Sequence, residues 1–314
     1  MKEIFINLKR FEVSRKLGGV CPMDAPVSWI ESVIDEFIRL GIGTLSRVKV
    51  RLLLPEALIP NALTQLNSYS TEQKETLTIG CQGVFREDIV LGGNFGAFTT
   101  NRPAAAMKNL GCQWSIIGHS EERKDKLEIM AAYDTTILDD EGELNQAKKA
   151  VDQLINSEVI CALRAGLDVL LCVGETAAEK GGGSFEEQKP RIEAVLRSQL
   201  KKNLEGVAGL LKDREIVIGY EPIWAIGPGK TPPGAEYIGF VSSFIKKTVA
   251  ELYGFVPAVV YGGGLKEENA AMIGSIQTID GGLVALTKFT GEIGFEPSGL
   301  KRIIDQFSSR LKEG

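Results

Sequence analysis

Eight short apolar runs alternate with longer amphipathic segments along this chain of 314 residues. The runs fall at 4–8, 48–54, 77–82, 114–117, 168–173, 215–220, 258–261 and 279–285. Helical periodicity is carried by 29–40, 104–110, 143–165, 185–204, 237–252 and 267–273, and by 297–311 after the eighth run. Strands that alternate with helices build βαβ units and hence a parallel sheet. Eight units ending on a helix fit a closed (β/α)8 barrel, with an open doubly wound sheet as the other solution. No Pro/Ser-rich linker divides the chain, so 1–314 reads as one α/β domain. Two connections are long for βα units, near 10–27 and 124–163, and read as insertions.

Charge and cysteine usage remove several classes. The net charge of −5 leaves no electrostatic footprint for nucleic acid. No apolar run approaches membrane-spanning length, and the first residues lack the apolar core of a signal peptide. Five irregularly spaced cysteines, Cys21, Cys81, Cys112, Cys161 and Cys172, form no C-x-x-C. They read as free thiols in a reducing, cytoplasmic setting, not as a disulfide frame or a metal site.

In a parallel barrel the chemistry sits at the C-terminal ends of the strands. The single histidine, His119, directly follows the fourth run, in S-I-I-G-H-S-E-E-R. Read alone, it serves equally as a core histidine bonded to backbone or as a catalytic group. Ser120 is placed to cap a following helix, and a neutral imidazole at such a helix start can donate to a carbonyl oxygen. Glu121 lies two residues on; Glu122 reads as an acidic residue of a first helical turn. Asn7 and Lys9, also two apart, end the first run on one face. By themselves they fit a strand ending in solvent.

Glu221 follows the sixth run in G-Y-E-P-I-W-A-I-G-P-G-K. A carboxylate at a barrel mouth is partly desolvated and suits general-base work. Pro222 stiffens the entry to the next segment, Trp224-Ala225-Ile226 supplies an exposed apolar tip, and Gly227-Pro228-Gly229 an exit. Together they read as a lid. Gly229-Lys230-Thr231 is no nucleotide loop, because that motif needs a glycine where Trp224 stands. Gly262-Gly263-Gly264 after the seventh run serves either as a tight turn or as a converging set of N–H groups for an anion.

These pieces resemble the triosephosphate isomerase family over nearly the whole chain. The motifs are N-x-K at 7–9, C-Q-G at 81–83, G-A-F-T at 96–99, I-I-G-H-S-E at 116–121 and C-V-G-E at 172–175. Y-E-P-I-W-A-I-G at 220–227, Y-G-G at 261–263 and I-D-G at 279–281 complete them. The resemblance implies a TIM barrel and an isomerase of triose phosphates that needs no cofactor or metal. It implies Glu221 as the base, His119 as the electrophile, Lys9 as the cation for the phosphorylated substrate, Asn7 as a hydrogen-bond partner and Glu121 as a supporting carboxylate. It further implies Gly227, Gly263, Gly264, Ala285 and Leu286 at the substrate phosphate, and a homodimer formed through the loop bearing Thr99. The departures lie at the phosphate end. Gly264 replaces the usual serine, and Ala285-Leu286 replace a glycine pair, with Lys288 nearby as a candidate replacement charge. Glu122 stands where an arginine is usual. The same chemistry on a four-carbon ketose phosphate, or a silent sugar-phosphate binder, are the competing readings.

Overall fold

A strand buried on both faces reads as a continuous apolar run, and the barrel strands here do so for that reason. The computed structural model describes residues 1–227 and 229–309. Eight parallel strands close in sequence order: β1 (Lys2–Asn7), β2 (Val48–Leu54), β3 (Leu77–Cys81), β4 (Trp114–Ile117), β5 (Asp168–Val173), β6 (Ile216–Tyr220), β7 (Ala258–Tyr261) and β8 (Gly281–Val284). The seam is β1 against β8, in register from Glu3↔Gly281 to Ile6↔Val284.

Alternate residues point to opposite faces of each strand. Phe5, Leu53, Trp114, Leu170, Val217, Val260 and Leu283 fill the barrel interior as one buried cluster. Their neighbours face outward to the helices and join the larger cluster there. A buried ion pair, Arg51 Nε to Glu3 Oε2 at 3.1 Å, lies toward the N-terminal ends of the first two strands, with the guanidinium 5.1 Å from the Trp114 ring centre. Its desolvation is offset by charge pairing and by a second donation, to Thr78.

The helices are α1 (Pro26–Arg39), α2 (Ile59–Asn67), α3 (Ala104–Leu110), α4 (Ser120–Tyr133), α5 (Thr136–Asp139) and α6 (Glu141–Arg164). Then come α7 (Ala177–Lys180), α8 (Phe185–Asn203), α9 (Ala235–Tyr253), α10 (Glu267–Gly274) and α11 (Pro297–Ser308). The outer helices bury apolar stripes at helical spacing. Trp29, Ile30, Val33, Ile34 and Phe37 do so on α1, and Leu300, Ile303, Ile304 and Phe307 on α11. No helix among the described residues is long and apolar enough to cross a membrane.

The expected barrel is the observed one, and the differences are local. The eighth strand, expected over 279–285, is shorter at both ends; Asp280 just before it still donates its N–H to the Val259 carbonyl at 2.7 Å, while its carboxylate accepts the Val259 N–H at 2.9 Å and pairs with Lys246. α2 was not expected, and of α4 only the start, at Ser120 and Glu122, was. α2 is short and opens at a proline, and α4 buries only Ala131, so it offers no apolar period to read. The last expected helix spans 297–311, of which 310 and 311 lie outside the described residues.

Candidate active site

β4 ends at Ile117, and Gly118 then turns the chain with φ +76. A Cβ at Gly118 would lie 2.9 Å from the Arg123 guanidinium and 3.0 Å from the Cys172 carbonyl, so only glycine fits. His119 is thereby set as the N-cap of α4, where Ser120 was expected to cap. The reason is visible in the bonding. The His119 Nδ1 accepts the Glu121 N–H at 3.3 Å, while the Ser120 hydroxyl is drawn to the next strand end but one. An Nδ1 that accepts leaves the ring proton on Nε2. That Nε2 lies 3.1 Å from Glu221 Oε1.

Glu221 follows β6 and is buried at 3% exposure. Its backbone N–H donates to the Val173 carbonyl at 2.8 Å, continuing the β5–β6 ladder by one residue. The carboxylate accepts the Ser120 N–H at 3.0 Å and the Ser120 hydroxyl at 3.3 Å. Both oxygens are therefore held at the start of α4, within reach of the imidazole.

Lys9 does not continue the strand beyond Asn7. It takes φ +42, and its N–H donates to Asn7 Oδ1 at 2.9 Å. Gln82, which sequence reasoning missed, ties this corner down: its Nε2 donates to Asn7 Oδ1 at 3.1 Å and to the Lys9 carbonyl at 2.9 Å. The Lys9 ammonium donates to Glu121 Oε1 at 2.5 Å. Burial alone would raise the Glu121 carboxyl, but the Lys9 partner more than offsets that and holds it below the usual range. Asn7, Lys9, His119 and Glu121 share the lining of one cavity of about 810 Å³. Glu221 stands behind the histidine.

The segment after Glu221 departs from expectation. Its apolar tip is not exposed: Ile223–Ala225 form one 3-10 turn, Ala225 is buried, and Trp224 and Ile226 are half-buried. Glu175, another residue that sequence reasoning left without a role, accounts for this. Its Oε1 accepts from Tyr220 Oη at 2.9 Å, Trp224 Nε1 at 2.8 Å and Tyr237 Oη at 2.7 Å. Burial pushes its carboxyl up despite those three donors. The segment is latched down by its own tryptophan. Pro228, in the middle of the expected exit, lies outside the described residues.

The phosphate-end candidates gather at neighbouring strand ends. Gly263 is forced: a Cβ would meet Tyr261 Oη at 2.3 Å and Pro222 Cγ at 2.6 Å. Gly264 has φ +92 with open space beside it, and Gly227 is exposed with φ +116. Ala285 and Leu286 follow β8, half-buried. Neither is left-handed, since among the described non-glycine residues only Lys9 and Phe95 have positive φ. The next two N–H groups, of Thr287 and Lys288, both donate to the Gly294 carbonyl at 3.1 Å. The Lys288 ammonium bonds Glu296 at 2.8 Å, so it is engaged within its own loop.

Glu122 exchanges the usual arginine contacts for new ones. It accepts the Gly118 N–H at 2.6 Å and the Lys126 ammonium at 2.5 Å, and Lys126 also reaches Glu158 at 2.9 Å. Burial, and after it the Glu122 carboxylate, pushes Glu158 up to about 9. In Glu122 burial is outweighed by the Glu158 and Lys126 contacts, which hold it low. The native state therefore keeps a Glu158 proton that an unfolded chain, with the ordinary value 4.5, releases. Stability from this group falls as pH rises from 4.5 to about 9, whereas that from Glu122 is lost as pH falls below 4.5. Glu158→Gln is expected to keep the volume of the side chain and, having no proton to lose, to remove the alkaline loss. Melting curves from about pH 6 to about pH 9 test this: wild type should lose Tm relative to the variant, and parallel trends would refute the assignment.

A closed barrel that brings a buried carboxylate, an imidazole whose Nδ1 accepts a hydrogen bond and an ammonium to the strand C-termini defines a (β/α)8 protein whose site is equipped for proton transfer. The triosephosphate isomerase family matches residues 53–292, a stretch that holds His119, Glu121 and Glu221 and begins after Asn7 and Lys9. The triosephosphate isomerase of Chlorobium phaeovibrioides (strain DSM 265 / 1930) is 36% identical over 193 residues, 60% of this chain and 64% of that protein. That of Moorella thermoacetica is 34% identical over 211 residues, 66% and 70% of the two chains. That of Chloroherpeton thalassium is 30% identical over 241 residues, 75% and 81%. The chain thus spans just under two thirds of the length of the Chlorobium phaeovibrioides relative. The solved triosephosphate isomerase from Bartonella henselae shares the fold, with a TM-score of 0.64 at 22% identity over 98% of each chain. The chain belongs to the triosephosphate isomerase family.

Proposed function

We propose that the protein is an aldose–ketose isomerase that interconverts glyceraldehyde 3-phosphate and dihydroxyacetone phosphate through an enediolate. The observation that carries this reading is the 3.1 Å approach of His119 Nε2 to Glu221 Oε1, with the ring proton on Nε2. A glutamate base beside a neutral histidine is the pairing for which this family is itself the worked precedent. In this reading a bound substrate replaces the direct His119–Glu221 contact. The imidazole N–H turns to the carbonyl oxygen, and the carboxylate takes the proton from the neighbouring carbon. Lys9 attracts the dianion and steadies the negative charge of the enediolate, with Asn7 beside it and Glu121 positioning the ammonium. Release of Trp224 from Glu175 frees the following segment to close over the substrate and exclude water.

Gly227, Gly263 and Gly264 serve the phosphate through backbone N–H groups, with a reduced share from Ala285 and Leu286. A second substrate, a four-carbon ketose phosphate, is favoured by that last feature: the segment after β8 has no left-handed pair and its lysine is turned to Glu296. The family's homodimer, built through the loop bearing Thr99, and a cytoplasmic setting complete the reading. We read the segments near 10–27 and 124–163 as insertions in a single-domain barrel.

A coupled isomerisation assay over a panel of phosphorylated sugars tests this. Preference in kcat/KM for glyceraldehyde 3-phosphate is the expected result. Preference for a tetrulose phosphate would transfer the same chemistry to that substrate, and phosphate-ligand binding without turnover would overturn the enzyme reading.

A further inference from the structure

A second cavity, of about 660 Å³, opens at the C-terminal end of the barrel between α4, the first half of α6, and α8. It is of the size that takes a small organic molecule. α4 buries only Ala131, and α8 turns Ala194 and Ser198, one turn apart, toward the opening. Side chains this small leave the space between the helices unfilled. The apolar lining is Leu127, Val151, Val195 and Ile223, one each from α4, α6, α8 and the segment after Glu221.

The charges around this cavity do not balance. Each carboxylate that lines it already has a cation: Asp152 holds Arg123 at 2.7 Å, Glu179 holds Lys148 at 2.8 Å, and Glu121 holds Lys9 at 2.5 Å. The remaining charges are both positive. Lys149 on α6 has no ion pair among the described residues. Lys124 on α4 reaches only the exposed Glu128, at 3.5 Å, a pair worth little in water. An apolar slot with two uncommitted ammonium groups complements one anionic head on an apolar body.

The same cavity backs onto the candidate active site. Gly174 lines it, and a Cβ there would stand 1.8 Å from the Glu221 carbonyl oxygen, so the two backbones are in direct contact. Gln199 brackets Gly174, accepting its N–H at 3.0 Å and donating to its carbonyl at 2.9 Å. Ile223 donates its N–H to the Glu175 carbonyl at 3.1 Å and opens the turn that carries Trp224. We propose that this cavity is a second ligand site, for a small amphipathic anion. Its carboxylate or phosphate-monoester head meets Lys124 and Lys149, and its apolar body lies against Leu127, Val195 and Ile223. A body packed on Ile223 favours the latched position of Trp224, so occupancy opposes closure of that segment and weakens substrate binding. This coupling rests on the lid reading above; the site itself does not.

Calorimetric titration with decanoate and with decyl phosphate tests the site. At least one is expected to bind, one molecule per chain, and the one that binds identifies the head. Ala194→Trp fills the slot, and Lys124→Glu with Lys149→Glu reverses the charge of its rim. All three positions are exposed, so both variants should keep the wild-type circular dichroism. Each is expected to weaken the amphiphile by about 10-fold or more. Saturating amphiphile should raise the dissociation constant of glycerol 3-phosphate, a triose phosphate without the reacting carbonyl, by about 5-fold or more, and the reverse titration should show the same factor. No binding of either probe, or undiminished affinity in the folded variants, overturns the site. Binding at the site without mutual weakening overturns the coupling. A protein that binds the amphiphile but isomerises no sugar phosphate overturns the enzyme reading and leaves the site standing.

Discussion

Glu221→Gln is expected to lower kcat for triose phosphate isomerisation by about 100- to 10,000-fold or more, with little change in the affinity for a non-reacting phosphorylated analogue. The amide is nearly the same size and can still meet Ser120, whose hydroxyl and N–H hold the carboxylate at 3.3 and 3.0 Å. What it cannot do is accept the carbon-bound proton. The site would keep its cavity and its Lys9–Glu121 pair, since neither touches the replaced group. Steady-state kinetics paired with calorimetric titration of the analogue separate the two effects. Retained turnover would remove Glu221 from the role of base, and loss of analogue binding in proportion to activity would make its role structural.

The largest stability loss is expected at a residue that touches no reacting atom. Arg123 donates to the Gly118 carbonyl at 2.7 Å, to Asp152 Oδ1 at 2.7 Å, to the Cys172 carbonyl at 3.0 Å and to Asn203 Oδ1 at 2.6 Å. One buried guanidinium thus joins the turn before His119 to β5, α6 and α8. Arg123→Met would fill much of the volume and leave the Asp152 carboxylate buried without its cation. Removing one partner of such a pair costs about 3–5 kcal/mol. Urea unfolding should show this as a lower midpoint at an unchanged slope. A midpoint within about 0.5 kcal/mol of wild type, the range of ordinary surface substitutions, would deny Arg123 that role.

Burial explains which parts of this molecule could be read from its residues alone. Strands enclosed on both faces leave continuous apolar runs, and His119 and Glu221 were conspicuous because each stands within two residues of the end of such a run. α4 was legible only at its start, through Ser120 and Glu122, because it buries a single alanine and no apolar period marks its length. The partners of the candidate site were hidden by distance along the chain. Ser120 meets Glu221 across 101 positions, and Gln82 meets Asn7 across 75. Neither pairing has a local signal. The expectation of an exposed Trp224 failed for the same reason, because Glu175 and Tyr237 come to it from other strands and helices. The rebuilt end after β8 was legible as a missing glycine pair, whereas the capture of Lys288 by Glu296 needed the hairpin that brings them together.

The seam between β1 and β8 also dictates an order of events during synthesis. A ribosome delivers residues 2–7 first and residues 281–284 last among the strands, yet these are neighbours in the finished ladder. Until the last strand emerges, β1 and β7 both present unpaired N–H and C=O groups, a template for association with other chains. The nascent barrel is therefore most vulnerable to aggregation when seven of its eight strands have emerged. A stop codon just before residue 281 should be far more damaging than the few residues it removes from the sheet would suggest. Chaperone demand should peak late in translation, and ease once Gly281 to Val284 have docked on Glu3 to Ile6.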